Sequence, residues 1–379
     1  MTLEKIINGI KKMKQSLKTL AYSAIIGAAS LGVLTENAEA GNPRYKIEKL
    51  STLDSRGSVV NRNSLNEYGE IVGVVDVNGI EKPFLYKNGT IRKLEELDVD
   101  LPNPYYNSGP YVGPYYTNTL TNDLGYIFLF YFYAHSLIFI SIYKLGEKVE
   151  LDFQAEDTNN KGEVVGEHYL WKDGEKIDLN FINGQQIYFF ASSINDKGQI
   201  AGRYYNYNHF VPAIWENGVI TKLECPSCYE FFPLDINNNG WVVGYIGDPG
   251  YACMWDENGK IKKLNRFASR AFAINDNGQI VGSSMEDSPR KPVCAFLYQN
   301  GKEFNLNDLL TENSEFMHLY SALDINNKGQ IVGYGIIRGS SNTYAFLMTP
   351  VHLEGDLNED GVVNLRDLSE LAEHWLEER

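Results

Sequence analysis

From about residue 45 to residue 350 the chain alternates short apolar stretches with polar turns, and the turns repeat. Asn-x-x-Gly followed by an apolar pair occurs seven times, beginning at Asn66 (NEYGEIVG), Asn122 (NDLGYIFL), Asn159 (NNKGEVVG), Asn195 (NDKGQIAG), Asn237 (NNNGWVVG), Asn275 (NDNGQIVG) and Asn326 (NNKGQIVG). The spacings are 56, 37, 36, 42, 38 and 51 residues. An apolar strand, a Gly turn and a short alternating strand follow most copies. Examples are PFLY-KNG-TIRKL (83–94), AIW-ENG-VITKL (213–223), CMW-DENG-KIKKL (253–264) and AFLY-QNG-KEFNL (295–306). Period-two alternation bounded by Asn and Gly predicts short strands joined by tight hairpins.

Each unit therefore predicts four strands, a to d. Strand a precedes the Asn, strand b is Gly-Gln-Ile-Val-Gly or its equivalent, strand c is of the Ala-Phe-Leu-Tyr kind, and strand d is Ile-x-Lys-Leu. Asn accepts a backbone hydrogen bond from two residues on, and Gly adopts positive φ without strain, so the seven Asn read as turn-formers rather than catalytic amides. Four short strands in about 44 residues match a propeller blade. The seventh unit stops at strand c, Tyr344–Met348, and the missing Ile-x-Lys-Leu stands at the front of the repeat region, in Tyr45–Leu50. The expected fold is all-β: a seven-bladed β-propeller closed by an N-terminal strand, leaving no open edge. The alternative is an open β-solenoid. The apolar run Tyr126–Tyr143 sits in register with strands b and c of the second unit, and it reads as buried strands rather than a membrane span.

The ends read differently. Lys5, Lys11, Lys12, Lys14 and Lys18 precede an uncharged run, Leu20–Leu34, and Ala38-Glu39-Ala40 follows. That is the pattern of a cleaved export signal over 1–40, with a mature chain from near Gly41. The run of 15 residues is short of the roughly 20 needed to span a bilayer. The formal net charge is −15, and losing the signal's net +2 leaves −17. Nucleic-acid binding needs clustered Lys and Arg, so this balance argues against it and suits an extracellular protein. Four cysteines are too few for a disulfide scaffold. The Cys225-Pro-Ser-Cys228 pair reads as a local disulfide or two free thiols, with Cys253 and Cys294 apart.

Among the joints, the a–b and c–d turns are uniform, whereas the b–c and d–a loops vary in length. Recognition is expected on the varied face. Its aromatic candidates are Tyr105, Tyr106, Tyr115 and Tyr116 in the long d–a loop (95–117), and Tyr204, Tyr205, Tyr207 and His209 in the b–c loop (203–212). Exposed rings of this kind suit a polysaccharide, a cell-surface glycan or a protein partner. No H-E-x-x-H, G-x-S-x-G or phosphate-loop motif occurs, and no catalytic residue is assigned.

With these segments in view, the units resemble the extracellular HAF repeat family, named for a His-Ala-Phe strand. Here Cys294-Ala295-Phe296 and Tyr344-Ala345-Phe346 carry that strand. The resemblance covers about 290 residues and implies the fold, but no activity.

The last segment, 351–379, is a separate module. Gly355–Asp367 fits a 12-residue calcium loop, with oxygen ligands from Asp356, Asn358 and Asp360, the backbone carbonyl of Val362, Asn364, and Asp367. After it, Leu368, Leu371, Ala372, Trp375 and Leu376 form one apolar stripe of a helix. This loop and helix resemble one of the two segments of a type I dockerin. The resemblance implies docking to a cohesin-like partner through Leu365, Arg366, Leu368, Leu371 and Trp375. Leu365 and Arg366 replace the usual Ser or Thr. The domains are thus 1–40, 41–350 and 351–379. The expected function is a secreted, non-catalytic binding or scaffold protein with calcium in its tail. The alternative is a secreted carbohydrate-active enzyme carried by that tail.

Overall fold

The computed structural model describes residues 44–52, 55–94, 115–132, 138–144, 147–182, 185–206, 209–225, 230–264, 268–285, 293–310 and 314–351. They build a β-propeller of antiparallel sheets. Seven sheets of four strands follow one another along the chain, plus a small hairpin of Phe181–Ile182 with Gln185–Gln186. The fourth sheet shows the plan: Tyr188–Ile194, Ile200–Asn206, His209–Glu216 and Val219–Lys222, each paired with the next.

The seventh sheet is completed from the other end of the repeat region. Phe316–Ile325, Ile331–Ile337 and Thr343–Pro350 are joined by Tyr45–Leu50, whose Ile47 faces Met348 and whose Leu50 faces Ala345. The sheets close on themselves, and the open solenoid is set aside. The run 126–143 forms two paired strands, Ile127–Phe132 and Ile138–Lys144. Among the described residues no helix is long and apolar enough to cross a membrane.

Where side chains are described, neighbouring sheets cover one another's faces. Ala201 and Ile214 of the fourth sheet pack with Phe231, Val242 and Trp255 of the fifth. Val165, Leu170 and Leu179 of the third pack with Phe189 and Ile200 of the fourth. Burying one such side chain fully contributes about 1.5–3 kcal/mol. Strand a bulges between Ala191 and Ser193, bringing the carbonyl of Phe190 over Gly202 of strand b. A Cβ on Gly202 would lie 2.2 Å from that oxygen, which is why strand b carries Gly there.

Described parts of two expected loops are strand instead. Arg203–Asn206 and His209–Pro212 extend strands b and c of the fourth sheet, because the alternation of half-buried Arg203, buried Tyr204 and exposed Tyr205 continues the pleat. Tyr115 and Tyr116 open a strand, Tyr115–Thr121. Cys225 and Cys253 carry free thiols, and Cys294 Sγ lies 3.9 Å from His318 Nε2. Tyr105, Tyr106, Tyr207 and Cys228 lie outside the described residues. So do the export signal, all six expected calcium ligands (Asp356, Asn358, Asp360, Val362, Asn364, Asp367), and the expected helix with Leu365, Arg366, Leu368, Leu371 and Trp375.

Candidate functional site

The two ends of the sheets differ in chemistry. At the end formed by the Asn-x-x-Gly turns, the Asn amides are taken up in hydrogen bonds within and between sheets, as Asn195 shows. Asn195 Oδ1 accepts from the backbone N–H of Lys197 and of Gln199, both at 3.0 Å. Its Nδ2 donates to Gln199 Oε1 at 2.8 Å and to the carbonyl of Asn237, in the next sheet, at 2.9 Å. Gly198 sits at φ 83°, a conformation that only Gly adopts cheaply. The inter-sheet bond repeats all the way round: Asn66 to Asn122, on to Asn159, Asn195, Asn237, Asn275 and Asn326, and from Asn326 back to Asn66 at 3.0 Å.

A second ring runs beside it, through the residue after each Asn. The N–H of Glu67 donates to Asp123 Oδ1, Asp123 to Asn160, Asn160 to Asp196, Asp196 to Asn238, Asn238 to Asp276, Asp276 to Asn327, and Asn327 back to Glu67. Acids and amides alternate except where Glu67 meets Asp123. At the amide positions Nδ2 reaches the flanking carboxylates: Asn238 Nδ2 bridges Asp196 Oδ2 at 3.2 Å and Asp276 Oδ2 at 3.1 Å, while Asn160 reaches Asp196 and Asn327 reaches Asp276. Glu67 lacks such a bridge. Burial, with Asp123 and Asp276 adding repulsion against the pull of its Asn327 N–H bond, pushes it up to about 7. Burial raises Asp123 as well.

Between the rings lies an axial cavity of about 150 Å³ lined by all seven turns. Three carboxyls sit at its wall, two residues before their Asn. Asp157 accepts from the N–H of Ile194, Asp235 from that of Ile274 and Asp324 from that of Leu65, each reaching the next sheet within 2.9 Å. Ser193 Oγ lies 2.6 Å from Asp157 Oδ2 and 2.9 Å from Asp235 Oδ1. One hydroxyl has one proton, so the second contact requires a proton on a carboxyl. Burial, with Asp235 beside it, pushes Asp157 up to about 7, and burial pushes Asp324 up to about 8. Asp235 is raised by burial too. Arg62 crosses from the first sheet to the fifth, donating to the carbonyl of Leu234 at 2.9 Å, with Glu156 at 3.7 Å. These groups are consumed in tying sheets together.

At the opposite end the side chains form a column. Arg203 lies between Phe210 of its own sheet and Phe232 of the fifth, its guanidinium 4.3 Å from each ring centre. Phe232 stacks on Tyr245 at 4.6 Å and 12°. Tyr245 carries Arg270, of the sixth sheet, at 4.8 Å. Phe190 meets Phe210 edge-on at 5.5 Å, and His168 meets Phe190 at 4.5 Å. Tyr205 leans on Phe210 at 5.4 Å yet is 43% exposed. Such partly desolvated cation–π contacts are worth on the order of 1–2 kcal/mol. Burial lowers the pKa of Arg203, with the Glu230 carboxylate opposing. Among the described residues the Arg203 side chain has no hydrogen-bond partner and no carboxylate within 4.0 Å.

Of the expected aromatic candidates, Tyr205 and His209 are exposed at this end, and Tyr204 is buried at 8% exposure in the core between the third and fourth sheets. Arg203, Phe190, Phe210, Phe232 and Tyr245 were not expected as site residues. The sequence signal for Arg203 is its place directly after the strand-b Gly, where other units carry Val74, Glu167, Tyr245, Ser283 and Tyr334. Among the described residues no group of three His, Cys, Asp or Glu is placed to hold a metal.

No protein-family model matches the sequence, and no curated protein matches it. Solved structures of similar architecture include virginiamycin B lyase from Staphylococcus aureus, at 12% identity and TM-score 0.48, covering 81% of this chain and 100% of that one. The β-propeller domain of the Trilobed protease from Pyrococcus furiosus is 11% identical, TM-score 0.48, covering 68% of this chain and 85% of that one. Pyrococcus horikoshii acylaminoacyl peptidase is 14% identical, TM-score 0.44, covering 74% and 50%. Likenesses this distant carry no argument about activity.

Proposed function

We propose that the chain is a secreted binding protein: a seven-bladed propeller of the HAF repeat kind that recognises a glycan, joined to a dockerin-like tail that takes calcium. One observation carries the reading. The Asn-x-x-Gly end is spent on closing the ring, whereas the other end presents Tyr205, an exposed ring, beside half-buried Arg203. A sugar ring stacks on such an aromatic face, and rigid sheets hold it ready. For the tail, Asp356, Asn358, Asp360, Val362, Asn364 and Asp367 supply hard oxygen donors at the spacing calcium requires. The apolar stripe of Leu368, Leu371 and Trp375, with Leu365 and Arg366, is the surface proposed to meet a cohesin-like partner.

The test is a glycan array probed with the full chain, with and without Tyr205→Ala, in calcium and in chelator. Binding that falls at least tenfold in Tyr205→Ala supports the reading, and equal binding by both refutes it. Calcium uptake that survives Asp356→Ala with Asp367→Ala refutes the tail assignment.

A second reading, a carbohydrate-active enzyme, has one observation behind it: Asp157 and Asp235 line one cavity and share Ser193. Release of reducing ends by the chain but not by Asp157→Asn would establish it.

A further inference from the structure

We infer that the glycan is an anionic one, a uronate-containing polysaccharide, and that Arg203 takes its carboxylate while Tyr205 stacks on the ring; this rests on the glycan reading above. Three features converge on Arg203. The ring centres of Phe210 and Phe232 each lie 4.3 Å from its guanidinium carbon. Two rings hold the group in place, and its N–H donors remain to be satisfied. The guanidinium has no hydrogen-bond partner among the described residues, although burial has stripped part of its water. Glu230 lends it a favourable field but stands beyond ion-pair distance. In a chain with a formal charge of −15, a half-buried cation without a carboxylate is the natural place for one from outside.

Spacing selects the class. Arg203 and Tyr205 are two apart on one strand, so their side chains leave the same face of the sheet. They stand about 7 Å apart along it, the reach of one pyranose ring with its exocyclic carboxyl. A guanidinium grips a carboxylate through two parallel N–H···O bonds, which an ammonium does not reproduce. Arg270, exposed over Tyr245 and also unpaired among the described residues, supplies a second cation one sheet further on. It suits a charged repeat along a polymer better than an isolated charge.

The experiment is calorimetric titration of the full chain with a polyuronate oligosaccharide, its carboxyl-reduced counterpart, and an acidic peptide of equal charge. The expected result is binding of the uronate that weakens at least tenfold when the carboxyls are reduced. It should weaken at least tenfold in Arg203→Lys, which keeps the charge and loses the fork, and again in Tyr205→Ala, whose exposed ring can go without unfolding the sheet. A thermal melt checks that each variant is folded. Equal binding of the uronate and its reduced counterpart, unaffected by Arg203→Lys, would overturn the carboxylate inference and leave the glycan reading standing. Binding of the peptide alone would overturn both.

Discussion

Where the Asn-x-x-Gly turns meet, every sheet puts the same side chain to the same use: Asn66, Asn122, Asn159, Asn195, Asn237, Asn275 and Asn326 each donate to the carbonyl of the next. At the other end of strand b, corresponding positions hold Val74, Glu167, Arg203, Tyr245, Ser283 and Tyr334. The difference follows from geometry. A cyclic chain of hydrogen bonds tolerates no missing member, so the turn end is uniform. The other end has no ring to complete, and its side chains are free to differ from sheet to sheet. Stability should therefore reside at one end and recognition at the other.

The sharpest way to break that contrast is to remove one ring member. Asn195→Ala removes all four of its hydrogen bonds inside a site only 4% exposed and leaves the Lys197 and Gln199 amides without their acceptor. Buried groups left unpaired cost about 1–3 kcal/mol each, so urea unfolding should show a loss of about 3 kcal/mol or more. Arg203→Ala should cost about 1 kcal/mol in the same assay. Comparable losses would mean that the two ends do not divide the work.

Next in size is the effect of pH. Asp157 at about 7, Asp324 at about 8 and Glu67 at about 7 hold protons in the folded chain that an unfolded carboxyl releases near pH 4. Folded-state values are raised, so this contribution is whole below about pH 4 and is lost as pH rises through 7 to 8. The melting temperature should accordingly be higher at pH 5.5 than at pH 8, by a few degrees or about 2 kcal/mol, opposite to the usual acid trend. Asp157→Asn with Asp324→Asn should flatten the difference. A melting temperature that drops on acidification across that window would contradict the shared-proton arrangement around Ser193.

Much of the turn end was legible before the structure. Asn at the first position and Gly at the fourth are demanded by one local turn, so both survive in every copy, and the front strand Tyr45–Leu50 announces closure by repeating strand d. The second ring was not legible. Its position accepts Asp, Asn or Glu alike, since each offers a side-chain oxygen to the next N–H, and a place filled by three residue types reads as unconstrained. The buried Asp157, Asp235 and Asp324 occur in three units of seven, too few to register as a pattern. At the varied end the error lay in where strands stop. Arg203 and Tyr204 look like the start of a polar aromatic loop. Only the pairing Arg203↔Phe190 and Arg203↔Pro212 shows the sheet running on, turning Tyr204 inward. Contacts between units, such as Arg203 on Phe232, depend on which sheets become neighbours and so lie beyond any reading of one unit.

The smallest effect sits at the one irregularity of the second ring. Six junctions join an acid to an amide, and the seventh sets Glu67 beside Asp123, where 2.8 Å separates the Glu67 N–H from Asp123 Oδ1. Both carboxyls are raised, chiefly by burial, and at Glu67 repulsion from Asp123 is part of the cause. Glu67→Gln keeps an oxygen for the Asn327 N–H, now held at 2.9 Å, and removes one of the two charges. Glu67 is half-exposed, so solvent screening limits the gain to about 0.5 kcal/mol at pH 8. At pH 5.5 the wild-type carboxyl is already protonated and the gain should vanish. The measurement is paired urea unfolding at the two pH values. Stabilisation that is equal at both would show that Glu67 acts through packing, and that charge alternation around the ring contributes nothing.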